Sequence, residues 1–348
     1  MIDYANINLE KVSVHHVGNK NNDEALRLSK EMLNSADSRL KELLKRYFFT
    51  PFTANEFYNF TFTNEDYKLN PLYNFASDVF DRPKTFHTNS INIAKHLYEV
   101  SNHPQIKSGD LFIADFSNVS IEGEFVNAIG IFKSENRQSF LKLNSDGDDF
   151  ELNYDDGINI DKLDKGCLIF ETDRDSGYKV CIIDKANKGV EAQFWKDSFL
   201  MLRPCHDEYH QTKNFLDITK NFVTTQLSEE FEVNKTHQID MLNRSMDYFK
   251  THDSFDKKQF EKEVFQETDI IKSFRTFDDN YRMDNAIDVE DGFEISVNAV
   301  KKQARIFKSI LKLDKNFHIY IHGNNDLIEQ GVEKDGRKYY KIYFDKES

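Results

Sequence analysis

Apolar residues recur with a period of two in some parts of the chain and with helical spacing in others, and these patterns predict its strands and helices. Residues 7–14 alternate, which predicts a half-buried strand. Five later apolar runs are bounded by polar, Gly- or Asn-containing segments and are typical of strands. Because they follow one another closely, we expect them to form one antiparallel sheet. These runs are Gly109–Phe116, Phe125–Phe132, Ser139–Leu143, Cys167–Phe170 and Tyr178–Ile183.

Helical spacing of apolar residues precedes and follows these runs. Asp37 is a suitable N-cap for a helix that ends before Pro51, and two more helices are predicted near 72–80 and 90–102. After Pro204 the helical period returns and continues to residue 265, with Ser254 as an expected cap.

The order of these elements predicts an α+β fold. We expect an N-terminal domain, 1–230, with a mainly antiparallel sheet flanked by helices, followed by a helical middle segment, 231–283. The acidic, poorly periodic stretch Asp278–Asp291 is typical of a linker. A small basic, β-rich α/β domain, 284–348, is expected after it.

Composition indicates a globular chain of 348 residues. No apolar run approaches the ~20 residues of a membrane helix, so no membrane contact is expected. The N-terminus lacks the pattern of a secretion signal, which predicts a cytoplasmic location. Cys167, Cys181 and Cys205 are predicted to be reduced, buried thiols.

Charge is distributed unevenly. The chain carries a net charge of −14, which argues against a protein that coats DNA with its whole surface. Residues 299–348 contain eleven Lys and Arg against seven Asp and Glu, a local balance of +4, so the remainder carries −18. The C-terminal segment is therefore the candidate basic surface.

Metal-binding patterns are incomplete. Cys205, His206 and His210 would offer a thiol and two imidazoles on one helix face, but a fourth zinc ligand is not evident. Asp146, Asp148 and Asp149 lie in an acidic stretch that fails the calcium-loop template, so a solvated loop is expected there. We therefore predict neither a metal site nor a cofactor.

Catalytic patterns are also weak. The chain has no phosphate-binding glycine loop, nucleophile elbow or Cys-x-x-Cys motif. Glu171, Asp173 and Asp184 end two successive predicted strands, as carboxylates of a metal-dependent nuclease would, although the spacing before Lys185 is one residue short. We expect a protein that is not an enzyme and keep the nuclease as an alternative.

Several passages, taken in order, are similar to bacterial nucleoid-associated proteins of the NdpA family, described as 37-kDa nucleoid-associated proteins. The passages are INLEKVSVHHVG, SGDLFIADF, LDKGCLIF, YKVCIIDK, the Phe194-Trp195, Phe199-Leu200 and Thr212-Lys213-Asn214-Phe215 positions, and FKSILKLDKNFHIYIHGNNDLIEQG. The resemblance implies a cytoplasmic protein of the nucleoid that contacts double-stranded DNA and works with partners such as type II topoisomerase subunits. No catalytic residue carries over.

Charge and resemblance together locate the expected DNA contact in the tail. We hypothesise that its basic side chains meet phosphates without reading sequence. The alternatives are a protein-interaction regulator of a type II topoisomerase or another DNA enzyme, and the nuclease. A homodimer is expected because it doubles weak phosphate contacts. The hypothesised DNA-binding residues are Lys301, Lys302, Arg305, Lys308, Lys312, Arg337 and Lys338.

Overall fold

A computed structural model describes most of the chain. The described residues are 6–34, 37–52, 56–121, 123–146, 149–185, 193–304, 307, 310–321 and 327–346. Their contacts form two compact units, Met1–Cys205 and His206–Ser348. The α+β class predicted from the sequence is confirmed.

The described residues of the first unit form nine strands in and beside one sheet and three α-helices. Its strands are β1 (Asn8–Val17), β2 (Phe57–Phe60), β3 (Gly109–Ile121), β4 (Glu124–Ser134), β5 (Gln138–Asp146), β6 (Asp149–Gly157), β7 (Lys165–Phe170), β8 (Lys179–Asp184) and β9 (Leu202–Pro204). Its helices are α1 (Ser38–Phe49), α2 (Pro71–Asp81) and α3 (Phe86–Val100), with a π-helical segment at Phe194–Leu200.

The second unit is mainly helical, with short paired strands. Its helices are α4 (Glu208–Asn221, continued by Phe222–Gln226 and Leu227–Glu230), α5 (Lys235–Thr251), α6 (Lys257–Val264), α7 (Thr268–Asn285) and α8 (Val297–Ala304). Its strands are β10 (Ser254–Asp256), β11 (Gly292–Glu294), β12 (Ile310–Leu313), β13 (Phe317–Tyr320), β14 (Ile328–Val332) and β15 (Lys338–Ile342).

The large sheet has the order β1-β3-β4-β7-β8-β2-β9, and all of its neighbouring strands are antiparallel. Its central strands are buried on both faces, which explains why β7 reads as a continuous apolar run. Alternate residues of the strands face two different cores. One core includes residues of α2, α3 and the π-helical segment, and the other includes residues of α1.

The cysteines are buried and free of disulfides, as predicted. Cys167 belongs to one core of the sheet and Cys181 to the other, because they occupy opposite faces of adjacent strands. Burial raises the pKa of the Cys167 thiol well above its usual value, so this group stays protonated.

The two predicted helix caps have different outcomes, and α3 begins at Phe86, four residues before its predicted start. The Asp37 side chain accepts hydrogen bonds from the amides of Arg39 and Leu40, which confirms it as the N-cap of α1. The predicted cap Ser254 is wrong, since it lies in β10 and the Asp256 side chain accepts from the amide of Gln259 instead.

One predicted strand leaves the sheet. The run Ser139–Leu143 lies in β5, which pairs with β6 and with no strand of the large sheet. The four other runs form the expected meander β3-β4-β7-β8. The acidic stretch that follows β5 is likewise not a solvated loop, because Asp149–Gly157 is strand β6. Strands β5 and β6 therefore form a separate hairpin between β4 and β7.

An aromatic core organises the second unit. Phe215 of α4 lies with its ring centroid 4.2 Å from Phe255, 5.0 Å from Phe260 and 6.0 Å from Phe274. Because α4 contributes to this core, the compact units differ from the segments 1–230, 231–283 and 284–348 expected from the sequence.

The predicted linker also begins too early. Helix α7 continues to Asn285, and Asp278 inside it is fully buried. Its carboxylate pairs with Lys257 at 2.7 Å and with Arg282 at 2.6 Å, so the acidic residue is internal to the unit rather than solvated. Among the described residues, no helix has the length and hydropathy that crossing a membrane requires.

Candidate nucleic-acid interface

The predicted basic run does not form one continuous element. Helix α8 ends at Ala304 and β12 begins at Ile310, so the run is divided between a helix and a strand. Lys301 and Lys302 belong to the helix, and Lys312 belongs to the strand, where its backbone lies opposite His318. Arg305 and Lys308 lie outside the described residues.

Helix α8 presents its two lysines to solvent. Ala299, Val300 and Gln303 are buried, whereas Lys301 and Lys302 are exposed, so the helix packs on one side and carries charge on the other. Two adjacent positions on a helix are about 100° apart, so the two ammonium groups cover a broad part of this side.

Tyr209 restrains one of these lysines. The Nζ atom of Lys302 lies 5.7 Å from the ring centroid of Tyr209, a distance suited to a cation–π contact. Tyr209 itself is buried in the first turn of α4. The Tyr209 ring therefore restrains the Lys302 side chain, and Lys302 remains exposed to solvent.

A second basic group occupies the turn between β14 and β15. Arg337 and Lys338 are both exposed, and the Arg337 guanidinium lies 2.7 Å from the Asp335 carboxylate. The amide of Gly336 donates to the Glu333 carbonyl, and the positive φ of Gly336 (86°) allows this tight turn. The turn also exposes Lys334, which the sequence reasoning did not select. The sequence does contain a signal for Lys334, because this residue lies in the same five-residue segment, KDGRK, as Arg337 and Lys338.

The hairpin β14–β15 has two different faces. Tyr340 and Ile328 pack against the small core of Leu311, Ile321 and Ile239. Burial raises the pKa of the Tyr340 phenol. Lys341 lies on the opposite face, where its hydrogen bond with Tyr343 is the main cause of its raised pKa.

The ion pair of Lys341 reduces its value for phosphate binding. Its ammonium lies 3.5 Å from the Glu329 carboxylate. The hydrogen bond that Tyr343 donates to Glu329 is the main cause of the lowered pKa of this carboxyl, so the acid stays charged beside the lysine. A nearby anion would have to compete with this carboxylate.

The carboxylates considered for a nuclease do not converge. Phe170 pairs with Lys179 and Lys165 pairs with Asp184, so Glu171 and Asp184 stand at opposite ends of an antiparallel strand pair. Six residues at about 3.4 Å each separate the ends by roughly 20 Å.

Each of these acids also has a neighbouring polar or basic partner. Glu171 accepts from the Asn127 side chain at 2.7 Å, and Asp184 pairs with Lys165 at 2.7 Å. Asp173 lies 3.7 Å from the Lys179 ammonium. The prediction of a metal site shared by the two strands is therefore wrong. Such a site needs its carboxylates at the same edge of the sheet, and antiparallel pairing places Glu171 and Asp184 at opposite ends.

The thiol and imidazole groups do not share a helix face as predicted. Helix α4 begins at Glu208, so His206 precedes it and the four-residue spacing to His210 is not a helical one. His206 Nε2 lies 3.0 Å from the Glu290 carboxylate, and His210 Nδ1 lies 2.9 Å from Asp207. Cys205 is buried.

Asp148 of the acidic stretch lies outside the described residues. Within those ranges no three or more His, Cys, Asp or Glu side chains are arranged to hold a metal ion. Asp146 and Asp149 pair across the end of the hairpin β5–β6.

Sequence comparison identifies one family. A family model described as nucleoid-associated protein YejK matches residues 13–337, and therefore includes both units and most of the basic tail. No curated protein matches the chain.

Proposed function

This chain belongs to the nucleoid-associated protein YejK family, and from that premise we propose that it binds double-stranded DNA at the bacterial nucleoid without strong sequence preference. The contact is made by two exposed basic segments, which we together call the basic patch: Lys301 and Lys302 on α8, and Lys334, Arg337 and Lys338 at the turn between β14 and β15. It acts by holding DNA and not by catalysis.

The observation that carries this proposal is the exposure of positive side chains in the basic C-terminal segment. Residues 299–348 carry +4 within a chain of −14. Lys301 and Lys302 are solvent-exposed on α8, where ammonium groups can reach phosphate oxygens. The acidic remainder repels DNA, so the contact is local and its affinity depends steeply on salt.

Lack of sequence preference is proposed because the basic side chains are assigned to phosphates. Lysines bind phosphates as point charges, and sequence reading needs side chains that reach base edges in a groove. The turn Glu333–Arg337 adds Lys334 and Arg337 on a short connection rather than on a recognition helix. For Lys301 and Lys302 on α8 we likewise propose contact with phosphates and not with base edges in the major groove.

The test compares neutralised lysine pairs in a salt series. Binding of Lys301→Gln/Lys302→Gln to two short duplexes of unrelated sequence is measured by fluorescence anisotropy. Each lost phosphate contact reduces the slope of log affinity against log salt by about 0.9, so the double variant should lose roughly 2 from the slope and about 10- to 100-fold in affinity at moderate salt. Both duplexes should be affected equally.

The matched control is Lys84→Gln/Lys95→Gln, which removes the same charge from two exposed lysines of the first unit. It should retain the wild-type slope. A parallel variant, Arg337→Gln/Lys338→Gln, tests the turn separately. Wild-type binding by both patch variants at every salt concentration would refute the patch, and cleavage of supercoiled plasmid with magnesium would refute the non-catalytic role.

A second candidate is regulation of a type II topoisomerase or another DNA enzyme through protein contacts. It is favoured by the balance of −18 outside residues 299–348, which suits a basic protein partner better than DNA. Supercoil relaxation by purified topoisomerase measures it. Stimulation that persists in Lys301→Gln/Lys302→Gln would separate this role from DNA binding.

We also propose that the protein is a homodimer, because two copies of a weak basic patch on one duplex raise the effective affinity.

A further inference from the structure

The hairpin β5–β6 has an apolar face that no part of the described chain covers. Its side chains belong to none of the buried core clusters. Five large hydrophobic residues on this face are between 61% and 75% exposed. We name them the hairpin face: Leu141, Leu143, Phe150, Leu152 and Tyr154.

Strand register places these five residues together. Leu141 lies opposite Tyr154, and Leu143 lies opposite Leu152. Directly opposed residues share a face and alternate residues along a strand return to it, so Phe150 completes the same surface. The pairing of β5 with β6 therefore brings these five side chains together on one face of the hairpin.

Charged residues occupy the opposite face. Lys142, Glu151 and Asp155 fall on the alternate positions of the two strands. The hairpin face itself includes a single charged position, Asp156, which accepts a hydrogen bond from Ser139 at the hairpin base. Phe140 also lies on the charged face, where it is 52% exposed. Five of the six large apolar side chains of the hairpin thus share the hairpin face, which makes the hairpin amphipathic.

A hairpin built in this way needs a covering surface. An isolated two-stranded hairpin is only marginally stable in water, and contiguous apolar patches of several hundred Å² mark interaction sites. The acidic composition of the segment excludes nucleic acid as the covering group, because its carboxylates repel phosphates.

We infer that the hairpin face is the surface through which two copies of this chain dimerise. When two such faces meet, leucines and aromatic rings pack against one another, and the carboxylates of both copies stay on the outer faces except Asp156 at the hairpin base. Like charges are thus kept apart. A basic partner would instead be attracted to the charged face and leave the hairpin face exposed.

The available area is consistent with a dimer. With roughly 150–250 Å² for a large side chain, five residues exposed at 61–75% present on the order of 500–900 Å² per copy. Two copies would bury about 1,000–1,800 Å², which overlaps the range of about 1,200–2,000 Å² for stable protein interfaces. The upper part of this range matches a stable interface.

The inference develops the homodimer proposed above and does not rest on DNA binding, because no residue of the hairpin face belongs to the basic patch. Loss of DNA binding by the patch variants would leave dimerisation unchanged. Monomeric hairpin variants should keep the intrinsic salt slope of a single patch.

Sedimentation velocity over a concentration series tests the interface with paired variants. Leu143→Asn/Leu152→Asn places two amides in the hairpin face, and Lys142→Asn/Glu151→Asn places the same two amides on the opposite face without changing net charge. We expect a dimeric wild type and control, and at least a 100-fold weaker dimer for Leu143→Asn/Leu152→Asn. Far-UV circular dichroism should be the same for all three, since the hairpin lies outside the cores.

Oxidative crosslinking provides a second readout that does not depend on weakening the dimer. Leu143→Cys is near the middle of the hairpin face and should give a disulfide-linked dimer, whereas Lys142→Cys on the opposite face should not. The native thiols are buried. A wild type that is monomeric throughout the series, or equal dimerisation and crosslinking by both members of each pair, would overturn the inference.

Discussion

Truncation of Phe215 is the sharpest test of the core of the second unit. The side chain is fully buried, and four phenylalanine rings lie with centroids 4.2–6.1 Å away. A buried Phe→Ala change costs about 3–5 kcal/mol, and the aromatic neighbours place Phe215→Ala in the upper half of that range. With a urea dependence of roughly 2 kcal/mol per molar, the unfolding midpoint should fall by about 2 M.

The assay uses two optical signals. Trp195 is the single tryptophan of the chain and lies buried in the first unit, so its fluorescence reports that unit. Far-UV circular dichroism is weighted towards the second unit, where α5 and α7 are located. We expect Phe215→Ala to lower the dichroism midpoint and leave the Trp195 midpoint in place.

A milder variant guards against complete unfolding. Phe215→Leu keeps most of the volume and should cost less than about 1.5 kcal/mol, with the same separation of the two signals. Equal shifts of fluorescence and dichroism in both variants would refute the assignment of Phe215 to a core that is independent of the first unit. An unchanged dichroism midpoint would refute its role in packing.

Two further predictions concern buried charge and pH. Asp278→Asn should destabilise the second unit by about 3–5 kcal/mol in urea titrations followed by circular dichroism, since it leaves the partly buried Lys257 and Arg282 groups without their buried carboxylate; a loss below 1 kcal/mol would contradict it. The pKa of His15 is lowered to about 4 by burial and by the neighbouring His87. Because the folded value lies below the unfolded one, its contribution is present above about pH 6.5 and is lost as pH falls towards 4, so the wild type should lose about 2 kcal/mol more than His15→Gln between pH 7 and 5. Parallel pH profiles of the two proteins would contradict this.

Local sequence signals predicted the elements of the first unit well. The Asp37 cap and the apolar runs of β7 and β8 depend on residues within a few positions of one another. Such signals do not identify the partner of a strand, because pairing is decided by contacts far apart in the chain. The run Ser139–Leu143 was therefore recognised as a strand and assigned to the wrong sheet.

Acidic composition leads to two wrong predictions, a loop in place of strand β6 and a solvated position for Asp278. Phe150, Leu152 and Tyr154 alternate clearly, but the intervening acids favoured a loop interpretation over strand β6. In the same way Asp278 looked like part of a linker, since its partner Lys257 is distant in sequence. Burial of a charge depends on such a partner, and the partner is visible only in the fold.

The candidate interface was predictable in charge but not in shape. The excess of Lys and Arg after residue 299 is a property of the sequence. The division of the run between α8 and β12, and the contact of Lys302 with the Tyr209 ring, depend on packing between helices. The proposed patch therefore combines two separate surface segments, of which one includes the previously unselected Lys334.

The hairpin β5–β6 interrupts the chain between two strands that are already neighbours in the sheet. Lys133 near the end of β4 pairs with Lys165 at the start of β7, so these two strands are hydrogen-bonded up to the point where the hairpin leaves the sheet. Mutation can lengthen, shorten or replace the hairpin without altering the register of any sheet strand. Self-association could then be gained or lost in evolution while the scaffold is inherited unchanged, so members of one family need not share one assembly.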